Sequence, residues 1–576
     1  MNNNKNKDSN FIVKGILSDA ERIKKNSNYL RGTIQKDLKN NITNGFEGDN
    51  FFLIRFHGMY QQDDRDIRQE RIYQKLEPRY TMMLRCRIPG GVITTKQWLK
   101  IDKFAISNTF YKTIRLTNRQ TFQLHGIFKN KLKLTHKMLN SIQLDSLATA
   151  NDVNRNVVCS SNPYESYLHY ESYKWAKKIS DHLLPKTHAY SEIWLDKKKI
   201  FSNEKEPILS KSYLPRKFKI SIVIPPNNDV DIHANDISLI TIPDFINKNK
   251  ILGFNILIGG GLSIEHNNHS TWPAIASEIG FVSIKKILSV VESIVTIQRD
   301  WGDRTNRKNA KTRYTIKRVG IDNFKKEIES RSGIILKKNY PYFFLERGDK
   351  FGWVKGFNGL WYLTIFVPNG RISQYNHSNI RLGILEIAKA HTGTFRITSS
   401  QNLIISGISE NNKKKINNIA IKYNLIHNTS LLRQNSMACV SFPTCPLAMA
   451  EAERMLDGFI KKLEKIFLKN NLIDEYIVVR ITGCPNNCAR ALLAEIGLIG
   501  KSPGKYNLYL GGNRIGTRIP SLYIENCNEK VILEKLSILI TLWSIEKKNK
   551  EGFGDFVIRK KIVKEITNSS EEFWKK

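Results

Sequence analysis

The sequence has few cysteines for its length and no long apolar segment. Seven cysteines in 576 residues exclude the dense disulfide framework of a secreted protein and favour a reducing compartment, so we expect a cytoplasmic protein. The N-terminus has neither the apolar core of a secretory signal nor the pattern of a transit peptide. No stretch reaches the roughly 18 apolar residues that a membrane span needs. We therefore expect a soluble protein with no membrane partner.

Acidic residues are scarce relative to basic ones. The chain has 53 Asp and Glu against 91 Lys and Arg, a formal net charge of +38, which fits an anionic partner such as nucleic acid, a membrane surface or small anions. The excess is mostly Lys, spread along the chain among Asn and Ile, as in residues 411–424. That spread is typical of compositional drift, and no nucleic-acid recognition module is visible. We predict no nucleic-acid partner.

The chain contains an internal repeat. Its length exceeds what one hydrophobic core supports and predicts several domains. Arg, Thr, Gln, Gly and Ile recur at the same offsets in RLTNRQTFQLHGI and RITSSQNLIISGI. The aligned pairs are 115–127 with 396–408, 89–93 with 368–372, and 159–163 with 439–443. A duplicated α+β unit with a pseudo-twofold arrangement and a site shared between the halves is the predicted architecture.

Apolar spacing predicts the main elements of each copy. Helices are expected at residues 96–104 and 380–390, between strands such as 121–127. A longer α/β segment follows each copy. In the second copy it contains a predicted helix at 447–468 and a strand at 476–482 that runs into a cysteine turn.

Four of the cysteines form two pairs. Five residues separate Cys439 from Cys445, three separate Cys484 from Cys488, and 38 lie between the pairs. Structural zinc sites favour shorter, more compact spacings, whereas four thiolates in tight turns suit an iron-sulfur cluster. Zinc stays open as the alternative. A helix is predicted to begin at Cys488, which would place that thiol near a positive helix end.

The other cysteines are Cys86, Cys159 and Cys527. Buried inert thiols are the usual reading of such single residues. Cys159 aligns with Cys439 in the repeat but has no further ligands in its half, so it is not expected to hold a cluster.

Basic residues recur at positions where strands would turn them to one face. Alternate residues of a strand share a face, and this spacing relates Arg85 to Arg87 and Lys217 to Lys219. The duplicated module contributes Arg115, Arg119 and Arg155. These residues predict an anion pocket, and a solvated edge strand is the alternative. Residues 259–261, all Gly, either seat an anion on backbone amides or make a tight turn.

The cysteine motifs resemble those of a known family. Residues 435–454 and 482–490, with TGCPNNCAR in the second, are similar to the sirohaem/4Fe-4S signature of sulfite and nitrite reductases. Further similar stretches are 56–68, 89–98 and 511–520, and the likeness runs from about residue 15 to about residue 562. Asn487 and Ala489 stand where members of the family carry Gly.

The resemblance implies a six-electron reduction of sulfite to hydrogen sulfide, for cysteine biosynthesis, at a coupled sirohaem/4Fe-4S centre. Cys439, Cys445, Cys484 and Cys488 would hold the cluster, and Cys488 would be shared with the sirohaem iron. The implied sulfite-binding and catalytic cations are Arg85, Arg155, Lys217 and Lys219. The implied cofactor-binding cations are Arg115, Arg119 and Lys311.

Electrons would come from a separate flavoprotein alpha-subunit that oxidises NADPH and carries the flavins; residues 259–261 lack the G-x-G-x-x-G spacing of a dinucleotide site. An assimilatory nitrite reductase with the same cofactors is one alternative. A basic, zinc-containing nucleic-acid-binding protein is a remote one.

The predicted domains are an N-terminal arm (1–65), a first ferredoxin-like half-domain (66–145), a sirohaem- and substrate-binding α/β domain (146–336), a second half-domain (343–425) and a 4Fe-4S- and sirohaem-binding α/β domain (426–576).

Overall fold

The computed structural model describes residues 11–162, 165–186, 194–195, 198–199, 206–374, 379–426 and 429–575. In this part of the chain the strands form four five-stranded sheets and one two-stranded sheet, with helices packed on them. The predicted α+β class is confirmed. Among these residues, no helix combines the length and apolar character required to cross a membrane.

The N-terminal segment and the first module come first in the chain. Their elements are α1 (Asp19–Asn26), α2 (Ile34–Lys39), α3 (Gly48–Leu53), β1 (Met59–Gln62), α4 (Arg68–Tyr73), β2 (Thr81–Arg85), β3 (Val92–Thr94), α5 (Thr95–Asn108), β4 (Ile114–Thr117), β5 (Thr121–Ile127) and α6 (Leu132–Ser141). Helix α5 begins with a capping box in which Thr94 and Gln97 satisfy each other's backbone amides. Lys24 of α1 is buried and pairs with Glu21 and Asp152, which fastens the N-terminal segment to the first α/β domain.

The first α/β domain follows. Its elements are β6 (Val158–Cys159), α7 (Leu168–His182), β7 (Trp194–Leu195), β8 (Lys198–Lys199), β9 (Ile220–Val223), β10 (Ile237–Pro243), β11 (Ile251–Ile258), β12 (Ser277–Ser283), α8 (Ile287–Trp301), α9 (Thr312–Val319) and α10 (Ile321–Ser332). The sheet order is β6-β9-β10-β11-β12. Strands β6, β9 and β10 run parallel to one another. Strand β11 is antiparallel to β10, and β12 is antiparallel to β11.

The second half repeats this order. The second module contains β13 (Gly352–Lys355), β14 (Trp361–Ile365), β15 (Arg371–Ile372), α11 (Ile380–Ala390), β16 (Thr394–Ile397), β17 (Leu403–Ile408) and α12 (Glu410–Lys422). The second α/β domain contains α13 (Leu431–Gln434), β18 (Ser436–Ala438), α14 (Glu453–Lys469), β19 (Val479–Thr482), β20 (Ile496–Ser502), β21 (Lys505–Leu510), β22 (Ser521–Cys527), α15 (Glu529–Glu546), α16 (Phe553–Arg559) and α17 (Ser569–Glu572). Its sheet, β18-β19-β20-β21-β22, has the same parallel-then-antiparallel pattern as the first. The helices predicted at 96–104 and 380–390 are confirmed as α5 and α11.

The two modules exchange strands. Strand β3 of the first module pairs with β16 of the second, and β15 of the second pairs with β4 of the first. Gly91 and Gly370 occupy equivalent left-handed turns beside these strands, at φ +73° and +68°. A Cβ at Gly91 would lie 2.4 Å from the Ile397 carbonyl oxygen, and one at Gly370 would lie 2.3 Å from that of Leu116. Glycine is required at both turns because each backbone approaches the other module so closely.

The modules also share one hydrophobic core. Trp98 of α5 packs edge-on against Phe395 of β16, with ring centroids 5.6 Å apart. Both rings belong to a single cluster of buried residues drawn from the two modules. The halves are therefore one folded body around a pseudo-twofold axis, and this places the ends of their sheets opposite each other.

A buried carboxylate joins the two halves. Asp231 of the first half pairs with Arg347 at 2.5 Å and with Arg480 and Arg490 at 2.7 Å each. Burial alone would raise the pKa of Asp231, but the three guanidinium groups hold it well below its usual range. The ionised carboxylate is thus part of the folded structure at neutral pH.

Asp231→Asn is expected to lower the free energy of unfolding by about 3–5 kcal/mol, because it leaves buried arginines without their counter-charge. Since the folded pKa is depressed, this stabilisation is present above about pH 4 and is lost as the pH falls below that value. Guanidinium denaturation at pH 7 measures the effect. Asp457→Asn, which removes the exposed pair with Arg433, should change the free energy by only about 0–1 kcal/mol; equal losses in the two variants would contradict the role given to Asp231.

Candidate active site between the two halves

The four paired cysteines lie at one edge of the second α/β sheet. Cys439 follows β18, and Cys484 and Cys488 occupy the turn after β19. Because β18 and β19 are parallel, their carboxyl ends meet at the same edge and bring the two pairs together. The Gly483 amide donates to Cys439 Sγ at 3.2 Å, and the Asn486 side-chain amide contacts Cys484 Sγ at 3.7 Å. These donors would stabilise thiolates at both positions.

The thiols are close enough to influence one another's titration. Burial raises the pKa of Cys445 to about 12, with further contributions from Cys488 and Cys439. The pKa of Cys439 and that of Cys484 are raised by burial and, next, by Cys488. In the described part of the chain, no three His, Cys, Asp or Glu side chains are placed to share a single metal ion. The site is a group of four soft donors around a common space, a ligand set that fits a 4Fe-4S cluster.

Two predicted helices near the cysteines are wrong in part. No α-helix begins at Cys488: Arg490 is left-handed at φ +60°, and only a short 3₁₀ turn follows at Ala491–Leu493. The helix expected at 447–468 begins at Glu453 instead. The amides of Met449 and Ala450 both donate to the Gly483 carbonyl, so the segment before α14 closes over the cysteine turn rather than forming helical hydrogen bonds. Cys488 therefore does not lie at the N-terminus of an α-helix.

Asn487 takes the conformation that the cysteine turn requires. Asn487 is left-handed at φ +56°, as its tolerance for that conformation predicts. Its side chain accepts from the Ala491 amide at 2.6 Å and donates to the Leu262 carbonyl at 3.2 Å. A glycine could make neither contact, so Asn487 anchors the cysteine turn on the first half.

The predicted cations of the first half face these cysteines. Lys217, Lys219 and Lys311 line one cleft together with Asn486 and Asn487 of the cysteine turn. Burial lowers the pKa of each of the three lysines, and neighbouring cations add to the effect. A thiolate at Cys488 would favour the charged forms of Arg85, Lys217 and Lys219. The first half thus presents partly buried cations towards the thiol that the second half exposes.

Arg85 and Arg155 are held by a shared acceptor. Both guanidinium groups donate to the Thr149 carbonyl, at 3.1 and 2.9 Å. The expectation that Arg87 joins Arg85 in one anion pocket is wrong, because β2 ends at Arg85 and Arg87 pairs with Asp145 and Asp181 at 2.8 Å each.

The side chains of Arg119 and Arg115 contact different halves of the molecule. Arg119 donates to Asn235 at 2.7 Å and to the carbonyl of Asn156 at 2.5 Å, and burial, with Arg490 and Arg155 nearby, lowers its pKa to about 9. Arg115 pairs with Glu453 at 3.1 Å and donates to the Ala438 carbonyl beside Cys439. Asn118, between the two arginines in sequence, donates to the Cys488 carbonyl at 2.6 Å. The turn that contains Asn118 and Arg119 therefore contacts both the cation cluster and the cysteine turn.

Residues 259–261 form a close-packed turn. A Cβ at Gly260 would lie 2.2 Å from the His233 carbonyl oxygen, and the amides of Gly259 and Gly261 donate to the carbonyls of Asp236 and Ala274. The tight-turn interpretation is favoured, because two of the three amides already have partners within the protein.

Several pocket residues carry no sequence motif of their own. The cleft also contains Asp236, whose carboxylate accepts from the Lys219 amide at 2.9 Å and from Thr312 at 2.7 Å. Arg216 and Arg313 extend the cation cluster. Arg313 follows Lys311 at the same two-residue spacing as the other pairs, which is the signal that would have identified it. Nothing local marks Asp236, because its role comes from contacts across the fold.

The donors and charges of the pocket suit a polyanion. In the described residues, the Nε groups of Arg119, Arg216 and Arg313 are buried without a hydrogen-bond partner. Unpaired buried donors and mutually repelling cations are costly unless anions satisfy them. A tetrapyrrole with several carboxylates would supply those anions, so the residues present fit sirohaem.

Hydrogen bonds revise the alignment of the two halves by one residue. Ser160 accepts from the Ile224 amide, and its own amide donates to the Ile222 carbonyl. Cys439 makes the same two contacts with Gly483 and Ile481. The structural counterpart of Cys439 is therefore Ser160 rather than Cys159, so the first half has a hydroxyl where the second has the Cys439 thiol.

The second half contains a counterpart of the cation cleft, lined by residues of both charges. With β9 aligned on β19, Lys217 corresponds to Tyr476 and Lys219 to Val478. Both lie in the lining of a cavity of about 270 Å³. The second half thus has a cavity at the position equivalent to the cation cleft but lacks these two lysines.

Matches to protein-family models fall on the two modules and the first α/β domain. Residues 73–141 and 355–423 match the nitrite/sulfite reductase ferredoxin-like half domain, and residues 174–336 match the nitrite and sulphite reductase 4Fe-4S domain. The latter match falls on the first α/β domain, whereas the four cysteines lie in its duplicate.

Full-length relatives agree with the domain matches. The chain is 64% identical to a sulfite reductase (NADPH) hemoprotein beta-component of Buchnera aphidicola subsp. Acyrthosiphon pisum (strain Tuc7), over 98% of this chain and 99% of the relative. It is 59% identical to the protein of the same name from Salmonella arizonae, over 98% of both chains. The solved structure of Mycobacterium tuberculosis NirA superposes with a TM-score of 0.76 at 22% identity, covering 95% of this chain and 97% of NirA. That likeness concerns the fold.

Proposed function

The chain belongs to the nitrite and sulfite reductase family, and we propose that it carries out the six-electron reduction of sulfite to hydrogen sulfide at a coupled sirohaem/4Fe-4S centre. The observation that carries the proposal is the arrangement across the pseudo-twofold interface, where partly buried cations of one half face the thiols of the other. As a thiolate, Cys488 would interact with Arg85, Lys217 and Lys219.

The four cysteines would have different roles in binding the cofactors. Cys439, Cys445 and Cys484 would bind the cluster alone, and Cys488, the exposed member, would be shared with the sirohaem iron. When bound, these groups supply the iron that holds sulfite and a direct route for electrons to reach it. Arg115, Arg119 and Lys311 would pair with sirohaem carboxylates.

The remaining cations act on the substrate. Arg85 and Arg155 offer guanidinium donors to the sulfite oxygens. Lys217 and Lys219 balance the negative charge and hold protons where oxygen leaves as water. Because burial and neighbouring cations lower the pKa of Lys219 well below its usual range, an arriving anion would raise it again and bring a proton into the pocket.

The electron donor would be a separate subunit. The relatives' names specify NADPH and a beta-component, so we propose a companion flavoprotein alpha-subunit that oxidises NADPH. Assimilation of sulfur for cysteine biosynthesis in the cytoplasm is the corresponding role. The predicted domain boundaries assign sirohaem and sulfite binding to residues 146–336 and cluster binding to residues 426–576.

The proposal is tested by the absorption, metal content and activity of the purified protein. We expect visible absorption typical of a haem-like group, about four cluster irons with matching acid-labile sulfide plus one sirohaem iron, and sulfide production from sulfite with reduced methyl viologen. Parallel assays with nitrite give the preference between the two anions. Zinc in place of iron, with no visible absorption, would overturn the proposal in favour of a structural metal site.

A further inference from the structure

Tyr60 lies among the cations proposed to bind sulfite but has no role so far. It is in β1, whose neighbour β2 ends at Arg85. Arg155 is the cation that lowers the pKa of its hydroxyl most. The guanidinium carbons of Arg55 and Arg85 each lie 5.8 Å from the centroid of its ring. A phenol is thus held between three guanidinium groups, two of which are proposed substrate ligands.

The charged groups that act on Tyr60 most strongly are basic, and the carboxylate of Asp152 lies behind them, paired with Arg307 at 2.7 Å. Besides the three arginines, its charge interacts with Arg216, Lys217 and Arg307, which come from other segments of the first α/β domain. Burial alone would raise the pKa of Tyr60, but Arg155, Arg85 and Arg55 lower it to about 8. A phenolate at this position would therefore be stabilised by its surroundings.

We propose that the Tyr60 hydroxyl is a proton donor to the oxyanion held by Arg85 and Arg155. The inference rests on the proposed function. In this step the phenol O–H bond breaks and a new O–H bond forms on a sulfite oxygen, while the phenolate charge stays beside the guanidinium groups until water returns the proton. The electrons are those of the reduction itself. Arg85 and Arg155 cannot supply this proton, since arginine stays protonated in proteins, whereas a phenol can lose and regain one.

Tyr60→Phe removes the hydroxyl and keeps the ring. With reduced methyl viologen as donor, sulfite turnover at pH 7 should fall about 100-fold, the lower end of what a general acid contributes. Iron content and the visible spectrum should match the wild type. The matched control is Tyr509→Phe, which removes a hydroxyl from a buried ring stacked on Phe573 outside the pocket and should leave turnover unchanged.

A pH profile separates proton donation from packing. Turnover in the wild type should fall as the pH rises through the pKa of Tyr60, because the deprotonated phenol has no proton to give. Arg55→Gln removes one stabilising cation, so this alkaline decline should move to higher pH, and the same change made in Tyr60→Phe should have no such effect. Unchanged turnover in Tyr60→Phe, or an alkaline decline that Arg55→Gln does not move, would overturn the inference. A wild-type protein that does not reduce sulfite would instead overturn the proposed function.

Discussion

Cys488→Ser is expected to abolish sulfite reduction, with turnover at least about 10³-fold lower than wild type, because groups that act as a unit lose most of their effect when one is removed. We assign the shared position to Cys488 because a thiolate there would interact with Cys439, Cys445 and Cys484 on one side and with the pocket cations on the other. A serine hydroxyl is a poor ligand for iron in a cluster. We expect loss or uncoupling of the cofactors, visible as a changed absorption spectrum of the purified protein.

The control for this change is Cys527→Ser. Cys527 is buried and donates to the Tyr506 carbonyl at 3.2 Å, a contact that a serine hydroxyl can replace. Its absorption spectrum, iron content and turnover should match the wild type, which shows that a Cys-to-Ser change elsewhere in the same domain is tolerated. If Cys488→Ser kept the wild-type spectrum and sulfite turnover, the assignment of Cys488 as the shared thiolate would be wrong.

Local sequence is enough to predict the cysteine turn and helix α11. The spacing of Cys484 and Cys488 within a tight turn is a local property, and Asn487 takes the left-handed conformation that its residue type allows. Helix α11 begins and ends at the predicted residues because its apolar face repeats at helical spacing. Such features depend on neighbours in sequence.

The errors concern contacts between distant segments. Cys159 aligns with Cys439 by residue identity, but the strand register places Ser160 there. The segment before α14 is not helical because its amides are taken by Gly483, a partner that lies beyond the whole helix in sequence. Arg87 leaves the pocket because Asp145 and Asp181 neutralise it. In each case a tertiary hydrogen bond or ion pair overrides a local pattern.

Lys219→Met is expected to leave both cofactors bound and to lower sulfite turnover by about 10³-fold, within the range that a proton donor and a charge-stabilising group contribute. The substitution keeps an unbranched side chain of similar length in the cleft. The backbone at residue 219 is held by the bond from its amide to Asp236, which the change does not touch. The pocket should therefore keep its shape and lose one charge and one proton carrier.

The matched control is Lys129→Met, since Lys129 is a buried lysine of the first module, where its ammonium group donates to the Gly45 carbonyl at 3.3 Å. Both variants lose an ammonium group that the protein encloses fully or in part, so any shared effect reports on stability. Only Lys219→Met should lose turnover while its visible spectrum and iron content stay unchanged. Undiminished sulfide production in Lys219→Met would remove Lys219 from the catalytic set and leave Lys217, Arg85 and Arg155 to account for binding of sulfite.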